Sequence, residues 1–80
     1  MGAAEFEQWE QGKRAAMRFP QKLRKLRERR GISRRVLSEL CGLSKNMISV
    51  YELGESEPTA STLVILAETF GVSVDELLGR

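Results

Sequence analysis

The segment from Ile32 to Pro58, ISRRVLSELCGLSKNMISVYELGESEP, constrains the fold more than any other part of the chain. It reads as two short helices joined by a tight turn. Ser33 caps the first helix, which runs to Leu40 or Cys41, and Gly42 supplies the left-handed residue that a sharp exit requires. Leu43 fills beneath the turn. Ser44 caps the second helix, which runs to Glu52 or Leu53 before Gly54 ends it. Val36, Leu37 and Leu40 are expected to bury the first helix. Ile48, Tyr51 and Glu52 form the inner face of the second and leave its other face free.

The same punctuation organises the flanks. Pro20 suits the first turn of a helix, because its missing N–H costs nothing there. Leu23, Leu26, Arg27 and Arg30 recur at helical spacing, which gives a helix from about Pro20 to Arg30 with Gly31 as its stop. Arg27 therefore shares a face with two leucines. After a loop over Glu55 to Pro58, Thr59 caps a fourth helix that turns Leu63, Leu66, Ala67 and Phe70 inward and stops at Gly71. Val64 and Ile65 fall outside that stripe. Val72 packs, and Ser73 with Glu76 forms a capping arrangement for a last short helix, Val74 to Leu78, that buries Leu77 and Val74. Five helices and no strand signal predict an all-α domain over residues 19–80. Residues 1–18 form an N-terminal extension. There Phe6, Trp9, Lys13 and Ala16 sit at helical spacing but Gly12 interrupts, so the extension is a frayed helix, an arm or in part a cloning remnant, with Trp9 read as a packing residue.

Eighty residues make one domain with a small core, for which helix packing is the efficient solution. The net charge of +2 hides a strong asymmetry. Met1 to Gly12 carries three acids and no base. Lys13 to Arg35 holds eleven of the thirteen Lys and Arg against the single acid Glu28. Val36 to Arg80 has two bases and seven acids. A basic block of this density suits DNA, RNA or an acidic membrane, although a charge run taken alone reads first as a solvated helical face. A short helix anchored on one side and polar on the other, beside such a block, has the shape that enters a DNA major groove.

Composition also excludes function classes. The lone Cys41 permits no disulfide within the chain and fits a reducing cytosol, where it reads as inert core. There is no histidine, no phosphate-cradling glycine loop and no metal-spaced ligand cluster, so no enzyme, cofactor, metal or small-molecule substrate is expected. The longest apolar run, Leu63 to Ala67, is far too short to span a bilayer, no secretory segment opens the chain, and MGAAEF lacks the Ser or Thr of a myristoylation signal. The expected location is the cytoplasm, with nucleoid association when bound to DNA. Because the sequence stops two residues after Leu78, no effector domain is expected to follow.

From Phe19 to Leu78 the ordered series of motifs resembles the phage-repressor (Cro and cI) type helix-turn-helix domain, also called the xenobiotic-response-element family. LRKLRERRGIS is similar to its helix 1, and RRVLSELCGLSKNMISVYE to its helix-turn-helix, with small Ser38 where the two helices cross. ELGESEP is similar to its Glu-x-Gly-x-x-x-Pro loop, and LVILAETFGVSVDELL to its closing helices. The resemblance implies a compact five-helix lambda-repressor-like DNA-binding domain. It further implies a transcriptional regulator, a repressor by preference, that binds operator DNA as a homodimer with helix 3 in the major groove.

By position, the resemblance assigns base contacts to Lys45, Asn46 and Val50 with Met47 and Ser49 beside them, and phosphate contacts to Ser33, Arg34, Arg35 and Ser44. It also pairs the inward Arg27 with Glu52. The chemistry of these side chains is suitable. The Asn46 amide can match adenine N6 and N7 together, Lys45 can reach guanine or a phosphate, and Val50 and Met47 offer apolar contact to a thymine methyl. Arg34 and Arg35 oppose the helix dipole in a first turn, which a bound phosphate would explain, and many relatives have Gln at the position of Arg34. Arg27 and Glu52, on converging apolar faces, read as a structural ion pair.

Two features depart from the pattern. Glu55 and Glu57 stand where relatives often carry Lys or polar residues, and their charge repels a phosphate backbone, implying modest affinity or an altered docking angle. Val64 and Ile65 add apolar surface suited to a dimer contact or a partner. These four residues support a competing reading as a protein-interaction module of the same fold, against which the basic stretch argues.

Overall fold

The computed structural model describes residues 19–80. The expectations for residues 1–18, including the packing role of Trp9, lie outside the described residues. Helix α1 covers 19–29. It is followed by α2 (Arg34–Leu40), α3 (Met47–Glu52), α4 (Ala60–Phe70) and α5 (Val74–Leu77). No strand occurs among the described residues, so the domain is all-α with the five helices that the sequence predicts.

Every helix ends in the same way. Glycines with positive φ stand at 31, 42, 54, 71 and 79. At the central turn the Gly42 N–H donates to Glu39 C=O at 3.1 Å and the Leu43 N–H donates to Ser38 C=O at 2.8 Å. This paired closure satisfies two carbonyls that the end of α2 would otherwise leave open. It requires φ of +68° at Gly42, although a Cβ there would meet nothing within 4 Å. The need for glycine is thus conformational and not a matter of crowding.

Three helix starts follow the sequence reading. Ser33 accepts the Val36 N–H, Thr59 accepts the Thr62 N–H and Ser73 accepts the Glu76 N–H, at 3.0 to 3.2 Å. The start of α3 does not. The sequence predicts Ser44 as its cap, but α3 begins at Met47, after a turn in which the Met47 N–H donates to the Ser44 carbonyl at 3.0 Å. Asn46 occupies the cap position, and its side chain makes no capping hydrogen bond. The Ile48 N–H is taken up by the Ser38 hydroxyl at 3.4 Å. Ser38 is fully buried and reaches across from α2, so a side chain on the neighbouring helix does the work of a local cap.

The core gathers Phe19, Leu23 and Leu26 of α1, Leu37 and Cys41, Ile48 and Tyr51 of α3, Leu66, Ala67 and Phe70 of α4, and Leu77 of α5. The Phe19 and Tyr51 rings meet edge to face at 6.3 Å between centroids, a favoured geometry for their quadrupoles. Val36 and Leu40 correct the sequence reading, being 41% and 62% exposed. The α2–α3 crossing at Ser38 explains it: the stripe Leu37, Ser38, Cys41 turns inward, which rotates Val36 and Leu40 to the far side. Leu63 is half-buried at the core edge, and Val64 and Ile65 are exposed as expected. Arg30 ties α1 to α4 by donating from Nη2 to the Phe70 carbonyl at 2.6 Å. It thereby satisfies a helix C-terminus with a cation.

Candidate nucleic-acid interface

The crossing of α2 and α3 brings the start of one helix beside the start of the other. Ser33, Arg34 and Arg35 from the entry to α2 meet Lys45, Asn46 and Ser49 from the turn and first part of α3. Together with Arg27 they line an open depression of about 530 Å³. Lys45 and Asn46 are exposed, and Lys45 has no ion pair among the described residues. Because Ser38 satisfies the Ile48 N–H, the Asn46 amide is uncommitted at a position where asparagine ordinarily caps. Its donor and acceptor remain available for a ligand.

The remaining predicted residues lie outside this lining. Ser44 is exposed to one side, Val50 is half-buried, and Met47 packs partly against the core, so less of Met47 is open to a base than an outward position would offer. Glu55 and Glu57 are exposed and do not line the depression.

Behind the surface lies a buried ion-pair cluster. Arg27 donates from Nε to Glu52 Oε2 at 2.7 Å and from Nη2 to Oε1 at 3.2 Å, a bidentate fork. Its Nη1 donates to the Ile32 carbonyl at 3.0 Å. The side chains are 11% and 4% exposed, and the hydrogen bond to Glu52 holds the Arg27 guanidinium above its ordinary pKa despite burial. It is therefore charged at every accessible pH. Arg34 joins the cluster by donating from Nε to Glu52 Oε1 at 3.2 Å. Nothing local in the sequence points to that contact, because 18 positions separate the partners. Arg35 makes only a long, exposed pair with Glu39 at 3.5 Å, the kind worth little in water.

A helix-turn-helix family model matches residues 23–77, from the first core leucine of α1 to the last of α5. The chain belongs to this helix-turn-helix family. It is 35% identical over 60 residues to the SPbeta prophage-derived uncharacterized HTH-type transcriptional regulator YonR of Bacillus subtilis, covering 75% of this chain and 56% of the relative. It is 36% identical over 59 residues to the HTH-type transcriptional regulator AnsR of the same organism, covering 74% and 51%. It is also 34% identical over 62 residues to the HTH-type transcriptional activator BcrR of Enterococcus faecalis, covering 78% and 30%. The chain thus spans about half the length of the first two relatives. No solved structure matches the chain significantly.

Among the described residues, no group of three or more His, Cys, Asp or Glu side chains is placed to hold a metal, and no helix is long and apolar enough to cross a membrane.

Proposed function

We propose that the chain is a sequence-specific DNA-binding transcriptional regulator that docks α3 in the major groove of an operator and acts in the cytoplasm as a homodimer. Its mode of action is occupation of the operator, hence repression. The observation that carries this reading is the shared depression, where uncommitted Asn46 and Lys45 stand beside Ser33, Arg34 and Arg35. Groups able to read base edges and groups able to grip phosphates are then within one docking footprint. The homodimer rests on geometry: a single α3 of six residues reads little sequence, and a palindrome doubles the contact. Val64 and Ile65 supply exposed apolar surface for that pairing.

A second reading, a protein-interaction module, is favoured by a different surface. Leu53 is 71% exposed and borders a cleft of about 610 Å³ of mixed character, lined by Phe19, Pro20 and Leu78 but also by Glu57 and Arg80. Fluorescence anisotropy with random duplex DNA at low salt discriminates. The DNA reading expects a signal that falls as salt rises, and a flat, salt-insensitive trace would leave the interaction reading in its place.

A further inference from the structure

We infer that Glu52 is a positioning residue for DNA binding: its buried carboxylate holds Arg34 by the Nε edge and so presents the rest of that guanidinium to a backbone phosphate. This deepens, and rests on, the DNA-binding reading above. The argument is one of donors. Arg27 spends Nε and Nη2 on Glu52 and Nη1 on Ile32, so it has no nitrogen left unengaged although it borders the depression. Arg34 spends only Nε. Among the described residues neither of its Nη nitrogens has a partner, and its side chain remains 47% exposed. Those two nitrogens are the edge that can fork onto two phosphate oxygens.

Glu52 does not cancel the charge it positions. One carboxylate stands between two guanidinium groups, which leaves the cluster with a net positive charge for an anion. An arginine already docked on a 4%-exposed carboxylate has surrendered rotamer freedom during folding and loses less on binding. The adjacent Arg35 is the contrast. Its side chain is 74% exposed and held only by an exposed partner, so it adds field without direction. Two neighbouring arginines thus have separate roles, and a buried acid distinguishes them.

The test is a double-mutant cycle on binding to random duplex DNA at fixed salt, using R34K, E52Q and R34K/E52Q, with R24K, an exposed arginine outside the depression, as control. Lysine keeps the charge but cannot hold carboxylate and phosphate on separate edges. R34K is expected to weaken binding about tenfold and R24K less than about twofold, and in the E52Q background the R34K loss should shrink to about twofold or less. An R34K loss of equal size in both backgrounds, or no loss at all, overturns the inference. Should E52Q fail to fold, nitrogen relaxation of the arginine Nε–Hε groups in the free wild-type protein decides. The Arg34 group is expected to be as ordered as that of Arg27, with Arg35 mobile, and an Arg34 signal as mobile as Arg35 refutes the positioning. A wild type without salt-sensitive binding removes the DNA reading and this inference together, whereas salt-sensitive binding without Arg34–Glu52 coupling removes the inference alone.

Discussion

At the scale of residues, the ion-pair cluster makes deletion of its two core members unequal. Arg27→Met leaves Glu52 with the Arg34 N–H still donating to it. Glu52→Ala leaves Arg27 buried with only the Ile32 carbonyl as acceptor. Breaking a buried pair costs about 3–5 kcal/mol, so urea unfolding should place Arg27→Met near the lower end and Glu52→Ala near the upper. Equal losses, or a larger loss for Arg27→Met, would contradict the third contact. Asn46 makes a different prediction. Its amide performs no structural task here, so Asn46→Ala should leave unfolding unchanged while lowering discrimination at one base pair by about 1–3 kcal/mol. Comparing the affinities of single-base operator variants for wild type and mutant measures this. The burial of Arg27 was legible from its place in a leucine stripe, and its pairing with Glu52 from the family resemblance. The Arg34 contact was not, since no periodicity relates residues 18 apart on different helices.

At the scale of elements, what could be read was what is local. Glycines 31, 42, 54 and 71 and the caps Ser33, Thr59 and Ser73 act on their own helix ends, so sequence alone locates them. The start of α3 lies later than its sequence predicts because the Ile48 N–H is satisfied from another helix through Ser38. Val36 and Leu40 depart from the sequence expectation for a related reason. A seven-residue helix offers too little periodicity to choose between adjacent stripes, and the crossing at Ser38 makes the choice. The turn between α2 and α3 fixes where Lys45 and Asn46 stand relative to Arg34, and it depends on a left-handed residue. Gly42→Ala should therefore cost about 1–2 kcal/mol in unfolding free energy, the penalty of forcing an L side chain into that region. A stability equal to wild type would mean that the turn relaxes into another geometry.

At the scale of the molecule, the basic block from Lys13 to Arg35 reaches the candidate interface through Arg27, Arg34 and Arg35, of which Arg27 is spent on Glu52 and Ile32, with Lys45 the one further cation at its lining outside the block. Each phosphate neutralised releases counterions. A homodimer engaging two or three cations per protomer should give a slope of log affinity against log salt between about −3.5 and −5.5. A slope near −1 or −2 would indicate a monomer or a contact confined to one arginine. The proposed recognition places the α3 face bearing Lys45 and Asn46 against base edges in a symmetric complex. Selection of bound sequences from a random duplex pool by the wild-type protein tests it most directly. Enrichment of two inverted half-sites whose centres lie about one helical turn apart, roughly 10 base pairs, is expected. A bound pool with no sequence enrichment over the input would contradict it.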